Sequence, residues 1–406
     1  MKPSVRRLLE ISLFSLLSLV VVASTFVLGY AARAAQEPVT DDAVQFGVFW
    51  EAWNLVNEYF YGDSSNEKAR TYGAIEGSVR ALDDPYTLFI EPQQRDREEE
   101  ELRGSFGGIG AMVERTPEGR ILLTPMEGRP AAQAGVLAGD ELVGVDDRPI
   151  TADMPFEDVL ALVRGQVGDV VKLNVRREGM EDPLDFEVRR QEIVTPSVSW
   201  ELIEPDVGYV RLSIFGERTS NELRDALYEL RAKGAARFVL DLRNNGGGLL
   251  PVAIDVASQF LEDGVVVYER KADGQEKTYP VTGKGLALEE PLVILVNSGS
   301  ASASEIVAGA IQDYGRGVLV GTPTFGKASV QLIFDLSDGS SLHVTNAVWL
   351  TPGRHEIEGA GLTPDLEVSL TDEDRQQERD PQLDAAIEYL GGPSNVPAAS
   401  QSSLSE

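Results

Sequence analysis

The chain is written in two hydrophobic periods. Val44, Val48, Ala52 and Val56 recur every four residues, with Phe49, Trp53 and Tyr59 beside them. That spacing predicts a helix with an apolar stripe whose aromatics pack into a core. A second helix is expected over 72–82. Asp83-Asp84-Pro85-Tyr86 stops it, because proline disfavours helix in the residue before it. Residues 95–103 form a charge-dense helical stretch. Alternating segments then predict strands at 121–125, 141–145, 170–176 and 184–189, with a helical turn at 131–135 and a helix at 156–163.

A second series of apolar runs follows. Residues 207–212, 238–242, 292–296 and 318–321 read as strands. Leu223, Ala226, Leu227 and Leu230 give helical spacing that ends at Gly234, and further helices are expected at 251–261 and 304–312. Strands alternating with helices imply an α/β core. If the strands are parallel, two turns lie at their carboxyl ends, where α/β proteins place ligands. One turn is Arg243-Asn244-Asn245-Gly246-Gly247-Gly248. The other carries Ser298, Ser300, Ser302 and Ser304. A helix at 380–390 shows Leu383, Ala386, Ile387 and Leu390 on one face. Residues 391–406 are rich in Ser, Pro and Ala and are expected to be disordered.

Charge and composition narrow the function. The formal charge is 36 − 66 = −30 and no basic cluster relieves it, so nucleic acid is excluded as a partner. There is no cysteine, and His343 and His355 are the only histidines. Thiol nucleophiles and disulfides are ruled out, a histidine-rich zinc site is nearly so, and histidine bases are scarce.

At the amino end, Lys2, Arg6 and Arg7 precede an apolar run at 11–30, followed by Glu37, Asp41 and Asp42. A helix of that length spans roughly 30 Å, enough for a bilayer. The charge asymmetry puts the rest of the chain outside the cytoplasm, periplasmic or extracellular, on a single-pass anchor. The rival is a cleaved signal peptide, since Ala32-Arg33-Ala34 resembles an A-x-A site; the protein is then secreted.

The chemistry gathers at 292–327, where a buried strand runs into the serine turn, a helix opens and Lys327 follows. Spacing alone does not choose among the serines. Ser302 with Glu305 also matches a capping box, whose structural role competes with a nucleophilic one. A serine needs a base. His343, in an alternating strand at 341–349, is one candidate. Lys327 is another, provided burial keeps it neutral when it works. Gly321 to Lys327 also reads G-x-x-x-x-G-K, but Ala328 follows in place of Ser or Thr and a strand follows in place of a helix, so nucleotide binding is rejected. Glycines in the 243–248 turn allow close approach of a carbonyl and supply amides for an oxyanion. Upstream, Phe106-Gly107-Gly108-Ile109-Gly110 exposes amides suited to a carboxylate, with Ile109 expected beside an apolar groove.

Two resemblances organise these features. With Gly-Arg-Pro-Ala-Ala-Gln-Ala-Gly (128–135) and Gly-Asp-Glu-Leu (139–142), the region 103–192 resembles a PDZ domain of the circularly permuted kind found in bacterial proteases. Asp-Leu-Arg-Asn-Asn-Gly-Gly-Gly (241–248), Ser-Ala-Ser-Ala-Ser-Glu-Ile (300–306), Thr-Phe-Gly-Lys-Ala-Ser-Val-Gln (324–331), Gly-Leu-Thr-Pro-Asp (361–365) and Ala-Leu-Asp-Asp-Pro-Tyr-Thr (81–87) resemble the carboxyl-terminal processing peptidases of family S41. The resemblance implies an α/β, crotonase-like cap-and-core protease domain at 193–375. It also implies an inserted PDZ module, a helical region at 40–102 and a helix at 376–390, which follow the anchor or signal read at 1–35. It makes Ser302 the nucleophile, Lys327 its base with Gln331 beside it, and Gly247, Gly248 and Ala303 the oxyanion hole. Gly108, Ile109 and Gly110 become the tail-binding loop. No cofactor or metal is implied. The partners implied are polypeptides with apolar C-termini, a second copy of the chain or an activating protein. Gly246, Ala328 and Trp349 depart from the family pattern, which has proline, glycine and tyrosine there. A membrane-anchored PDZ scaffold with an inactive core, and a serine–histidine hydrolase, are the competing readings.

Overall fold

The computed structural model describes residues 41–62, 66–203 and 205–391. The apolar run at 11–30, the A-x-A site and the residues after Gly391 lie outside them. Among the described residues no helix is long and apolar enough to cross a membrane.

The chain divides into two compact units, Met1–Ala74 and Ile75–Glu406. In the first, helix α1 (Asp41–Tyr59) carries Phe49 and Trp53 with ring centroids 5.4 Å apart. Arg70 of α2 (Glu67–Arg80) lies 5.0 Å over the Trp53 ring. The predicted stripe does not form a core: Val48 is 68% exposed and Val56 47%. One helix and a neighbouring turn offer too little surface to cover it.

The second unit opens with β1 (Leu88–Ile90) and α3 (Pro92–Arg103). Gly104, in the left-handed conformation at φ 67°, ends α3 and starts the PDZ-like module. That module comprises β2 (Ser105–Gly108), β3 (Ala111–Arg115), β4 (Ile121–Pro125), α4 (Pro130–Ala134), β5 (Asp140–Val145), β6 (Arg148–Pro149), α5 (Phe156–Val163), β7 (Val170–Arg176), β8 (Leu184–Arg189) and β9 (Gln191–Val194). An antiparallel sheet ordered β3-β4-β5-β7-β8 encloses Leu123, Val159 and Leu173. The entering and leaving strands, β2 and β9, pair with each other, so the module hangs from one two-stranded ribbon.

The core contains β10 (Val198–Ile203), β11 (Val207–Leu212), α6 (Thr219–Ala232), β12 (Arg237–Asp241), α7 (Leu250–Ala257), β13 (Val265–Lys271), β14 (Glu276–Pro280), β15 (Leu292–Val296), α8 (Ala303–Asp313) and β16 (Val318–Gly321). It continues with β17 (Ser329–Asp335), β18 (Ser341–Leu350), β19 (Leu366–Glu367), α9 (Asp372–Gln376) and α10 (Pro381–Gly391). Its main sheet runs β10-β11-β12-β15-β16-β19, parallel except for β10. All five residues of β15 are buried, as a central parallel strand requires. Successive side chains point to opposite faces. Leu292, Ile294 and Val296 join the core under α6, α7 and α8, while Val293 and Leu295 meet Ala386 and Leu390 of α10. A second sheet, β1-β18-β13-β14 with β17 on β18, stands beside it. The β13–β14 hairpin, β10, β19 and α9 have no counterpart in the sequence reading. Lys327 leads into β17, a strand, as the rejection of a P-loop requires.

The parallel order brings the turns after β12 and β15 together, and Arg243 locks the first of them. Its guanidinium donates to Asp241 at 2.6 Å, to both Asp380 oxygens at 2.8 Å and to Gln382 at 3.0 Å. Asp241 is fully buried and also accepts from the Tyr209 hydroxyl at 2.6 Å. The cluster ties the end of β12 to the start of α10. Arg243→Ala strands a buried carboxylate and is expected to cost about 3–5 kcal/mol, read as a lower denaturant midpoint.

Candidate active site

The four serines of the turn after β15 have different partners. Ser300 is buried and its hydroxyl donates to the Leu242 carbonyl at 2.7 Å. Ser304 is buried and donates to the Asn245 carbonyl at 2.8 Å. Both are stitches between the serine turn and the glycine turn. Ser298 is exposed. Ser302 is half-buried, and its hydroxyl donates no hydrogen bond among the described residues. Its backbone, at φ 54° and ψ −114°, lies where a β-carbon is strained, at a cost of about 1–3 kcal/mol. The residue lies between a strand and a helix N-terminus and so sits at the positive end of the helix dipole.

Three asparagines fix the facing turn. Asn245 is buried; its amide donates to the Leu212 carbonyl, and its carbonyl accepts from Ala301 N–H at 3.0 Å. Asn297 and Asn244 exchange hydrogen bonds of 2.9 and 3.0 Å. Gly246, which stands where the resemblance has proline, sits in a turn braced on both sides. Gly247, at φ 109°, leaves no room for a side chain: a β-carbon there would meet Ser302 Cβ at 2.9 Å and Ala303 N at 3.1 Å. Its own N–H donates to Asn245 Oδ1 at 2.9 Å, so in this conformation Gly247 gives space and not a free amide. Among the described residues the N–H groups of Gly248 and Ala303 carry no such partner. Ala303 opens α8 and has no intrahelical acceptor.

Glu305 joins the serine to the lysine. This fully buried carboxylate accepts from Ser302 N–H (2.9 Å) and Lys327 N–H (2.9 Å) on one oxygen, and from Gly326 N–H (2.7 Å) and the Thr324 hydroxyl on the other. Two further bonds fix the lysine backbone. The indole of the buried Trp349 donates to the Lys327 carbonyl at 3.1 Å, and Ala328 N–H donates to Glu358 at 2.8 Å. Trp349, where the family has tyrosine, thus supplies a donor of its own. The Lys327 side chain is half-buried and has no hydrogen bond or ion pair among the described residues. Burial pushes its ammonium below the ordinary lysine value, while Glu358 and Asp84 pull the other way.

Three predicted site residues stand elsewhere than expected. Gln331 does not meet Lys327; its amide donates to Ser329 at 2.9 Å, and a bulge between Val330 and Gln331 redirects the strand. Ile109 does not flank a groove. It is 2% exposed, within the core of the PDZ-like sheet, and its carbonyl accepts from Ala131 N–H. His343 lies on β18, with Nε2 buried 3.6 Å from Glu98 and in no hydrogen bond with Ser302. Burial, then Arg95 and Lys327, push its imidazole below the ordinary value, leaving it neutral. The rest of the predicted loop is buried and not an open row of amides. Gly108 pairs with Gln191, and Gly110, at φ 69°, would drive a β-carbon to 2.4 Å from Arg129 Cβ. Among the described residues the adjoining β3 pairs with β4 alone and forms the edge of its sheet.

Sequence reasoning missed the parts played by Glu305, Trp349, Glu358 and Asn245. The capping-box spacing of Ser302 and Glu305 was the available signal for the first. Glu305→Gln would set an amide N–H₂ against at least one backbone N–H, that of Gly326, even with the amide turned toward the Thr324 hydroxyl. The expected result is a loss of about 1–3 kcal/mol in stability, measured by denaturation, with an accompanying loss of peptide cleavage.

Comparison with known proteins identifies the family. The model of peptidase family S41 matches residues 206–368, and that of the PDZ domain matches residues 122–177. A carboxyl-terminal-processing protease of Synechocystis is 36% identical, over 84% of this chain and 81% of its own. The carboxy-terminal processing protease CtpA of Bacillus subtilis is 32% identical, over 93% and 80%. A solved structure from Bacteroides fragilis, classed as an S41 protease, shares the fold at a TM-score of 0.50 and 18% identity, over 83% of this chain and 92% of that one. The chain therefore belongs to peptidase family S41, as a carboxyl-terminal processing serine protease with a PDZ domain.

Proposed function

We propose that Ser302 and Lys327 form the catalytic pair of an endopeptidase that acts on polypeptides delivered by their apolar C-terminal tails. The observation that carries this reading is the Glu305 carboxylate, which fixes the backbone of both residues. Neutral Lys327 takes the Ser302 proton, and the hydroxyl oxygen attacks the peptide carbonyl carbon. The amides of Gly248 and Ala303 receive the oxyanion, with Gly247 making room for it. The carbon–nitrogen bond breaks as the ammonium returns its proton to the leaving amine. Water, deprotonated by the same lysine, then releases the acyl group.

The edge strand β3, beside the Gly108-Ile109-Gly110 loop, suits an added strand from the substrate tail. The apolar run at 11–30 anchors the chain in a membrane with the catalytic unit outside the cytoplasm, consistent with the basic residues before it and the acidic ones after it. Protease-accessibility mapping of intact and permeabilised cells tests that orientation; digestion only after permeabilisation with no outer compartment breached would reverse it.

Two results test the catalytic pair. Ser302→Ala and Lys327→Ala are each expected to reduce cleavage of an unfolded protein with an apolar tail about a thousandfold or more, with unchanged melting, followed by mass spectrometry of fragments. Turnover surviving in Lys327→Ala rejects the lysine as base. The pH profile is the second test. A base works only when neutral, so kcat/KM should rise with pH as Lys327 loses its proton. Because burial depresses the lysine, this limb should lie below the ordinary value of 10.5. A limb at or above that value contradicts a buried base.

A further inference from the structure

One side chain faces the lysine and has no place in the scheme above. The Tyr86 ring centroid lies 5.0 Å from Lys327 Nζ, within the range of a cation–π contact. The backbone that carries the ring is held. Tyr86 N–H donates to Asp84 Oδ1 at 3.1 Å, and the Thr87 hydroxyl donates to Asp84 Oδ2 at 2.6 Å. Thr345 N–H of β18 in turn donates to Thr87 Oγ1 at 3.1 Å, and β1 continues the attachment by pairing Leu88 with His343. A segment far upstream is thereby nailed across the lysine.

The contact discriminates between states of the base. An aromatic face attracts an ammonium and has little hold on a neutral amine. Lys327 is neutral before it takes the Ser302 proton and cationic afterwards, so the attraction grows as the reaction proceeds. The other charged or titratable groups around Lys327 are Asp84 beside the ring, Glu358 from the loop after β18, Glu305 at its backbone, and His343 on β18. Among the described residues none of the carboxylates comes within ion-pair distance of Nζ, so Tyr86 is the side chain with a direct hold on it. Burial, then Glu358, Glu305 and Asp84, push the Tyr86 hydroxyl up, which keeps the ring a neutral phenol.

We propose that Tyr86 is a positioning residue for the general base, its ring face orienting Lys327 and stabilising the ammonium formed when Ser302 gives up its proton. The proposal rests on the Ser302–Lys327 reading. In the step concerned the Ser302 O–H bond breaks, its electron pair forms the new carbon–oxygen bond, and the proton moves to Nζ; the tyrosine neither gains nor loses an atom.

The test uses the full chain in detergent, labelled with ¹³C-lysine. The Lys327 signal is assigned by its absence from Lys327→Ala and followed against pH in the wild type, Tyr86→Phe, Tyr86→Leu and a variant with a trifluorinated phenylalanine at position 86. Tyr86→Phe should titrate as the wild type does. Tyr86→Leu should titrate at lower pH and lose about fivefold in the plateau of kcat/KM. The fluorinated ring keeps the shape and drains the ring face of electron density, so it should follow the leucine variant even if that one fails to fold. A midpoint unchanged in the fluorinated variant overturns the proposal, as does a Tyr86→Phe variant that behaves like leucine. Failure of the underlying pair shows separately, as cleavage that survives Lys327→Ala, because the lysine titration needs no turnover.

Discussion

A single buried carboxylate sets the geometry on which this site depends. Glu305 accepts four hydrogen bonds, two from the loop before Lys327, one from the lysine's own amide and one from Ser302. An ionised carboxylate has about four favourable acceptor positions, so the group is saturated, which is the condition for burying it without a cation. The four donors come from two separate pieces of chain. Neither piece can shift without leaving a donor or the charge unsatisfied, so the strained turn at Ser302 and the loop at Lys327 hold one another in place.

The lysine shows how opposed effects can be balanced in a small space. Burial favours the neutral amine that a base must be. Glu358 and Asp84 favour the ammonium, but from beyond ion-pair distance, so they moderate the burial without cancelling it. Glu358 is spent largely on the Ala328 amide. A carboxylate in contact with Nζ would have kept the lysine charged and idle. The backbone of the same residue is meanwhile held at its amide, at its carbonyl and at the following amide, which places the flexibility of the long side chain beyond a fixed root.

Much of this architecture was legible in the residues. The strands at 121–125, 170–176, 184–189, 207–212, 292–296 and 318–321 fall where periodicity placed them, because their apolar runs are bounded by glycine or charge. Spacing alone left Ser298, Ser300, Ser302 and Ser304 open, and only the family resemblance pointed to Ser302. The choice depends on which hydroxyls find backbone carbonyls across the gap to the glycine turn, a matter of three-dimensional register. The misplacement of Gln331 has a similar origin, since a bulge that turns one strand residue leaves no mark in composition. Ile109 was misjudged because a single apolar residue in a glycine loop reads alike whether it lines a groove or plugs a core. The stripe on α1 was seen correctly as a pattern, but a pattern does not say what covers it.

Strand β18 makes the site the last thing the chain can finish. Its residues pair with β1 at one end and with β13 at the other, and β17 lies along it. Thr345 holds the loop bearing Tyr86, while Trp349 holds Lys327. Residues near position 86 must therefore wait for residues near 345 before either is in place, and loop closure over such a separation is slow compared with local folding. During synthesis, an emerging chain already contains its serine before the strand that orders the lysine exists. The order of translation thus acts as a built-in delay on hydrolytic competence.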